Sequence, residues 1–316
     1  MPKITFQDKT FESKEGQSVL DTLLENGEDI LYSCKAGLCQ SCLLVCKKGE
    51  VNPESQMILG PEDKANGHFL SCVCKPTEDM VVAKKGDDRH DLEVTESEML
   101  PGRVLRLKTT RPFDYRPGQF VNLIRFDGLT RSYSLASALH EDFLEFHIKV
   151  VPDGFFSSWA ETDLFPGQPI KTTEPQGNCY YTGTGEEPIL LAGIGTGMAP
   201  LFGILKELIL KKHTGPIEIY NGAQKSSSLY FKKLLEELDL PENVTVKFAC
   251  LEKDDDTELA GDNLDDLVMS SKIISPKTQA FLCGSANTVN RLNQKLFLAG
   301  VPLAQIKKDA FTAFKK

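Results

Sequence analysis

The stretch CKAGLCQSC at residues 34–42 sets three cysteines in a C-x4-C-x2-C spacing. A further cysteine follows in LSCVCKP at residues 70–76. Thiolates are soft ligands that suit iron–sulfur clusters, and this spacing with a distant fourth cysteine is typical of [2Fe–2S] sites. The sequence therefore predicts a [2Fe–2S] cluster held by four cysteines: Cys34, Cys39, Cys42 and Cys72.

Two alternatives remain for these cysteines. Zinc sites commonly combine two C-x2-C-like pairs, whereas the first spacing here is x4 and the fourth cysteine is remote. Inert buried cysteines are the other alternative, but they give no reason for three cysteines within nine residues. Cys46 and Cys74 are surplus to a four-ligand site, and Cys74 competes with Cys72 as the fourth ligand.

Length and composition narrow the class of protein. The chain has 316 residues, 41% hydrophobic and 26% charged, which predicts two or three globular domains. A net charge of −9 disfavours a nucleic-acid partner, because such proteins neutralise phosphate with basic side chains. No apolar run approaches the roughly 20 residues that cross a bilayer, and the first residues are polar. We therefore expect a cytoplasmic protein without a membrane anchor, whose cysteines stay reduced.

The hydrophobic pattern divides the chain into three parts. In the first part, a helix is predicted near Ser18–Asn26, and the charged stretch VVAKKGDDRH predicts a linker. In the second part, GQFVNLIRF and FLEFHIKVV alternate apolar and polar residues, which indicates a small antiparallel barrel. The third part alternates apolar strands with helices, which predicts a parallel α/β sheet. We expect three domains, at residues 1–90, 91–184 and 185–316.

The first part has a family resemblance as well. CKAGLCQSC is similar to the cluster loop of plant-type ferredoxins, and LSCVCKP is similar to their fourth-ligand segment. The resemblance covers about residues 1–85 and implies a β-grasp fold.

Three short motifs follow one another in the second part. RSYS at residues 131–134 comes after PGQFVNL, and GFFS at residues 154–157 stands where a helix could begin. Together they resemble the flavin domain of the ferredoxin–NADP reductase superfamily, whose Greek-key barrel binds FAD. The resemblance implies that Arg131 pairs with the pyrophosphate, Tyr133 packs on the isoalloxazine ring and Ser134 hydrogen-bonds near N5. The flavin contacts that we predict are Arg131, Ser132, Tyr133, Ser134, His147, Lys149, Gly154 and Ser157.

The third part carries a glycine-rich turn. ILLAGIGTGMAP at residues 189–200 places three glycines between an apolar strand and a helix, where a pyrophosphate can approach the backbone closely. It resembles the nicotinamide motif of the same superfamily, and FLCGSANTV resembles the segment that borders the nicotinamide. The tail QIKKDAFTAFKK resembles the family's carboxy-terminal aromatic that shields the flavin, with Phe311 a better match than Phe314. The predicted cofactor contacts are Gly193, Gly195, Thr196, Gly197, Cys283, Gly284 and Phe311, and the predicted catalytic residues are Ser134, Cys283 and Phe311.

The electron donor is predicted from ACLEKDDD at residues 249–256. NADP-specific members of the superfamily often carry a Ser-Arg pair here, whereas this chain has Leu251 and Glu252 followed by three aspartates. A 2′-phosphate beside these carboxylates would be repelled, so NADH is expected rather than NADPH. Lys225, followed by three serines, is the one feature that favours NADPH.

The order of the three parts resembles the reductase components of multicomponent oxygenases. Benzoate dioxygenase reductase and methane monooxygenase reductase have this layout. The resemblance implies an NADH-dependent enzyme that passes electrons through FAD and [2Fe–2S] to a separate acceptor protein, most simply an oxygenase component, and we expect a monomer. The alternatives are a reductase for a deoxysugar dehydratase or desaturase, a redox sensor without turnover, and a zinc-bearing reductase that releases free reduced flavin.

Overall fold

A computed structural model describes residues 1–85, 89–252 and 263–311. Its first unit is a five-stranded mixed sheet in the order β2-β1-β5-β3-β4. The strands are β1 (Lys3–Phe6), β2 (Lys9–Glu12), β3 (Leu43–Lys48), β4 (His68–Leu70) and β5 (Met80–Lys84). Two helices accompany them, α1 (Val19–Glu25) and α2 (Pro61–Ala65). As the sequence predicts, α1 begins after Ser18, whose hydroxyl accepts a hydrogen bond from the Asp21 amide.

The stretch predicted to be a linker is mostly strand. Residues 80–84 form β5, which pairs in parallel with β1 and antiparallel with β3. The next strand begins at Arg89, and residues 86–88 lie outside the described part of the chain. Lys84, one of the charged residues that suggested a linker, is exposed, whereas Met80 and Val82 of the same strand are buried. The local sequence pattern did not predict β5, because this strand is stabilised by parallel pairing with β1 at the start of the chain.

The second unit is an antiparallel sheet of six strands in the order β10-β7-β6-β11-β8-β9. These are β6 (Arg89–Leu100), β7 (Val104–Thr110), β8 (Phe120–Ile124), β9 (Thr130–Ser134), β10 (Phe143–Lys149) and β11 (Pro169–Thr173). Helix α3 (Phe155–Asp163) follows β10. The inward-facing apolar side chains of these strands form one core.

The third unit is a parallel sheet in the order β14-β13-β12-β15-β16. Its strands are β12 (Ile189–Ile194), β13 (Ile217–Lys225), β14 (Val244–Glu252), β15 (Gln279–Ser285) and β16 (Ile306–Phe311). The helices are α4 (Met198–Leu210), α5 (Phe231–Leu235), α6 (Leu264–Met269) and α7 (Ala286–Leu298). The carboxyl ends of parallel strands meet at one edge, where ligands bind in such sheets. The three units confirm the predicted fold class.

The boundaries of the apolar cores differ from the boundaries of the three units. The first unit has a core of its own, which includes Phe6, Leu23 and Phe69. In contrast, Leu100 and Val104 of the second unit belong to the same core as helix α4 of the third. The described helices reach at most 13 residues, and none of them is long and apolar enough to span a membrane.

Candidate redox site

The loop that carries the first three cysteines has a sharply turned backbone. Lys35, Gly37 and Gln40 have positive φ angles of 49°, 72° and 56°. Glycine alone adopts such a conformation without a Cβ penalty. A Cβ atom on Gly37 would lie 3.2 Å from both methyl groups of Val73. The turn therefore folds the loop closely against the segment that carries Cys72.

Backbone N–H groups of this loop are directed at cysteine sulfurs. The amides of Ala36 and Cys39 lie 3.3 and 3.4 Å from Cys34 Sγ. The Cys34 amide in turn lies 3.4 Å from Cys39 Sγ. Such N–H dipoles stabilise thiolate charge and tune the potential of a cluster that thiolates hold.

Four cysteine thiols form two pairs. Cys34 shares a hydrogen bond with Cys39, and Cys42 shares one with Cys72. The contact with Cys39 lowers the pKa of Cys34 to about 5, and the contact with Cys72 lowers the pKa of Cys42. A [2Fe–2S] cluster takes four thiolates, two for each iron, so two pairs fit it. Within the described residues, no three His, Cys, Asp or Glu side chains are grouped as a single-ion site would require.

The two surplus cysteines have other surroundings. Burial raises the pKa of Cys74 to about 11, and its thiol lies beside the Ser55 hydroxyl. The Cys46 thiol donates to the Lys48 carbonyl oxygen at 3.3 Å. These contacts support Cys72 rather than Cys74 as the fourth ligand.

Residues of all three units line one pocket. Its walls come from the loop, from β8 and β9, and from β16, and they include Cys34, Leu38, Cys39, Phe120, Arg131, Ser132, Ser134, Asp309 and Phe311. Two of the residues predicted to be catalytic, Ser134 and Phe311, therefore lie in one pocket with two of the predicted iron ligands. The alternative Phe314 lies outside the described residues.

The pocket contains a carboxylate that sequence analysis missed. Ser134 Oγ donates to Asp309 Oδ2 at 2.8 Å. Burial raises the pKa of Asp309 to about 6, although the Ser134 hydroxyl opposes the shift. The only sequence signal was its place in KKDAF, two residues before Phe311.

Strand register aligns this carboxylate with the third predicted catalytic residue. Gly193 on β12 pairs with Cys283 on β15, and Cys283 pairs with Asp309 on β16. Cys283 is buried, and its sulfur lies 3.6 Å from that of Cys179. The row Gly193–Cys283–Asp309 crosses the carboxyl edge of the parallel sheet and ends at Ser134.

Two glycines of the glycine-rich turn, Gly193 and Gly197, are packed too tightly for side chains. A Cβ atom on Gly197 would overlap the Cys283 carbonyl and lie 2.7 Å from the Gly284 Cα. Gly195 has a φ of 54°, and the half-buried Thr196 stands between these glycines. The bare backbone at the start of α4 fits a dinucleotide pyrophosphate, which approaches N–H groups closely.

The predicted flavin contacts fall into two groups around the barrel. Arg131 lines the pocket and donates to the Thr130 carbonyl oxygen at 2.8 Å. Tyr133 instead packs with its ring centroid 5.4 Å from that of Phe156, in the first turn of α3. A Cβ atom on Gly154 would collide with Ser157 Oγ, so the start of α3 is open only because residue 154 is glycine. This bare helix start and the Arg131 guanidinium fit the flavin pyrophosphate.

Two predicted flavin contacts lie away from this pocket. His147 is fully buried and uses both ring nitrogens, on Glu145 at 2.9 Å and on the Tyr230 hydroxyl at 3.1 Å. The Lys149 ammonium donates to the Gly102 carbonyl oxygen. Their assignment to flavin binding therefore receives no support from the geometry.

A second residue that sequence analysis missed links the cysteine loop to the barrel. Asn122 Oδ1 accepts hydrogen bonds from Ser41 Oγ at 2.9 Å and from Ser132 Oγ at 2.7 Å. Ser41 lies within the cysteine loop and Ser132 within RSYS. A buried asparagine in the PGQFVNL strand was the available signal, but nothing local specified its partners.

At the far end of β13 and β14 lie the residues that predict donor preference. Glu252 accepts from Gln224 Nε2 at 2.6 Å and lies 3.8 Å from Lys225 Nζ. The three aspartates at residues 254–256 lie outside the described residues. Lys225, the feature that favours NADPH, is thus already beside a carboxylate.

Comparison with protein families matches all three units. Residues 4–77 match a 2Fe-2S iron-sulfur cluster binding domain, residues 93–181 an oxidoreductase FAD-binding domain, and residues 190–293 an oxidoreductase NAD-binding domain. These matches support the cofactor predictions of [2Fe–2S], FAD and a nicotinamide nucleotide.

Individual relatives are similar to the chain over most of its length. The reductase component of the naphthalene 1,2-dioxygenase/salicylate 5-hydroxylase systems of Ralstonia sp. is 26% identical over 95% of this chain and 94% of its own. The CDP-6-deoxy-L-threo-D-glycero-4-hexulose-3-dehydrase reductase of Yersinia pseudotuberculosis is 30% identical over 70% of each chain. The crystal structure of the Amycolatopsis reductase GcoB has the same fold, with a TM-score of 0.70 and 24% identity over the full length of both chains.

Proposed function

The chain belongs to the family of reductases that join a [2Fe–2S] ferredoxin domain to FAD- and NAD-binding oxidoreductase domains, and we propose that it carries electrons from NADH to a separate acceptor protein. The observation that carries this proposal is the single pocket lined by the cysteine loop, by RSYS and by the last strand. A nicotinamide supplies a hydride, a flavin holds one or two electrons, and an iron–sulfur cluster passes one at a time.

The chain's own residues have separate tasks in this proposal. Arg131 and the start of α3 bind the flavin phosphates, while the turn at residues 195–197 binds the nicotinamide nucleotide. Asp309 orients the Ser134 hydroxyl through the 2.8 Å hydrogen bond. The hydroxyl oxygen is then in place to form a hydrogen bond near the flavin N5. Phe311 and Leu38 are the apolar walls of the pocket and exclude water there.

The proposed acceptor is an oxygenase component. The Ralstonia relative, whose name places it in a dioxygenase and hydroxylase system, aligns with this chain almost end to end. The second candidate acceptor is a sugar dehydrase, because the Yersinia relative is named a dehydrase reductase and is 30% identical. A monomeric protein in the cytoplasm completes the proposal.

The visible spectrum of the purified protein, before and after anaerobic NADH addition, tests the carriers together. We expect flavin and iron–sulfur bands that both bleach on NADH addition. A spectrum without iron–sulfur bands, or one that NADH leaves unchanged, would contradict the proposal. Prereduced protein mixed with an oxygenase component or with a sugar dehydrase then distinguishes the acceptors by the rate of reoxidation.

A further inference from the structure

Helix α4 is attached to the flavin barrel at two places that no predicted site residue explains. This helix begins directly after the glycine-rich turn, so its position sets the position of the turn. The first attachment is Gly203, where a Cβ atom would lie 2.8 Å from the Ser137 carbonyl oxygen and 3.0 Å from that of Leu135. These oxygens belong to the barrel segment immediately after Ser134.

The second attachment is ionic and buried. Lys206, one helical turn further along α4, donates to Glu141 Oε2 at 2.6 Å and to Glu145 Oε2 at 3.4 Å. Lys206 is 7% exposed and Glu145 is fully buried. Glu141 Oε2 also accepts from the Ala138 amide at 2.6 Å, so the lysine is tied to the segment that Gly203 contacts.

Glu145 is the centre of a network that crosses the same interface. Its other oxygen accepts from Arg106 Nε at 2.8 Å and contacts His147 Nε2 at 2.9 Å. The hydrogen bond with His147 and the cations Arg106 and Lys206 keep the pKa of Glu145 below its usual range, although burial opposes this. Arg106 also binds Glu237 of the third unit at 2.9 Å. Such a fully partnered buried network specifies one arrangement of the packed elements.

We propose that Gly203 and Lys206 are positioning residues, which hold the nicotinamide-binding turn at the distance from the flavin that hydride transfer requires. The inference rests on the proposed function and assigns it two further residues. Hydride transfer requires the reacting atoms about 3–3.5 Å apart, and a displacement of 1 Å can cost about 100-fold in rate. Neither residue lines the pocket, so both act through the placement of α4.

The test compares Lys206→Met with Lys295→Met in the full-length holoprotein. Lys295 also pairs with a buried carboxylate, Asp265 at 3.0 Å, but wholly inside the third unit. In each variant the most buried carboxylate keeps an arginine partner, Arg106 for Glu145 and Arg291 for Asp265. Glu141 keeps the Ala138 amide, so neither variant leaves a carboxylate without a donor. We expect Lys206→Met to slow flavin reduction at saturating NADH about tenfold and Lys295→Met to change it less than twofold. Lys206→Arg should restore most of the rate.

Two readouts separate positioning from general destabilisation. The Kd for ADP-ribose, which lacks the nicotinamide, should stay within twofold of the wild type, because all its expected contacts lie in the third unit. Hydrogen exchange should become faster in α4 and in residues 135–138. Should Lys206→Met lose its FAD, Gly203→Ala carries the test, with a loss of about threefold expected from the forced shift of α4.

Two results would overturn the inference. Flavin reduction within twofold of the wild type in both Lys206→Met and Gly203→Ala would show that the attachments do not set hydride-transfer distance. A parallel loss of ADP-ribose binding would assign the residues a merely structural role. Failure of the proposed function itself would differ, because the wild-type protein would then not be reduced by NADH at all.

Discussion

The flavin barrel has two neighbours, and it meets them in different ways. Toward the nicotinamide unit it shares an apolar core and a buried ionic network with α4. Toward the ferredoxin unit it has the polar contact of Ser41 with Asn122. Residues of both units also line a cleft of about 600 Å³, among them Leu31 and Trp159. The ferredoxin unit keeps a core of its own.

The difference follows from what crosses each interface. A hydride is a hydrogen nucleus with two electrons, so its transfer requires near-contact of the donor and acceptor atoms. A packed and charged interface can maintain that contact. Single electrons tolerate a gap, so the ferredoxin unit needs correct proximity but not continuous packing. The nicotinamide interface is therefore expected to be rigid, and the ferredoxin interface to be separable.

Cutting the chain at each interface should give the largest effects. A protein that begins at Arg89 keeps the whole of β6 and should fold, bind FAD and reduce ferricyanide at a rate within twofold of the full chain. Its reduction of cytochrome c should fall about 100-fold or more, because the one-electron exit is gone. Both acceptors are measured at matched flavin content. Equal cytochrome c rates would make the flavin the terminal donor.

The matching cut after residue 184 should instead destroy folding. Leu100, Val104 and Ala136 would lose the apolar surface of α4, against which they are buried. We expect neither residues 89–184 nor residues 185–316, each produced alone, to show a cooperative unfolding transition by circular dichroism. A stable, FAD-binding fragment of residues 89–184 would remove the contrast between the two interfaces.

Loss of one iron ligand should disable the electron exit and spare the hydride entry. Cys72→Ser should bleach or shift the cluster spectrum and abolish fast cytochrome c reduction, while ferricyanide reduction by NADH continues. Cys74→Ser is the matched control, since that thiol is buried beside Ser55, and it should leave the cluster bands nearly intact. The opposite result would make Cys74 the fourth ligand.

Donor preference tests the hydride side alone. The kcat/KM for NADH should exceed that for NADPH tenfold or more, which is about 1.4 kcal/mol at the transition state. Glu252→Gln should narrow the ratio, because it frees Lys225 from a carboxylate 3.8 Å away. Reoxidation of the prereduced variant by cytochrome c should not change. Equal efficiencies for the two nucleotides in the wild type would contradict the prediction and implicate Lys225 in binding the 2′-phosphate.

The smallest effect concerns pH. Burial raises the pKa of Asp309 from 3.8 to about 6, so between these values the folded protein holds a proton that the unfolded chain has lost. The free energy of unfolding should therefore fall as pH rises through this window. Asp309→Asn keeps an acceptor for Ser134 and removes the titration. The variant should release FAD at a higher temperature than the wild type at pH 8, and the gap should close near pH 4.

Sequence patterns revealed what short segments determine by themselves. The cysteine spacing, RSYS and the glycine turn each depend on a few adjacent residues, and the three domain types follow from them. Asp309 escaped because its partner Ser134 lies 175 positions away, and Asn122 escaped because its partner Ser41 belongs to another sheet. Strand β5 was mistaken for linker for a similar reason, since its partner β1 is at the start of the chain.

The row Gly193–Cys283–Asp309 also bears on how this protein can change over generations. Neighbouring strands are about 4.8 Å apart, so three strands in register set the distance from Gly193, at the base of the turn, to Asp309, the partner of Ser134. Insertions in the other connections of the parallel sheet, apart from the glycine-rich turn and α4, leave this spacing intact. A single inserted residue inside β15 or β16 would turn Cys283 or Asp309 to the opposite face of the sheet. Changes of length within this sheet are therefore expected to be tolerated in those connections and not inside β15 or β16.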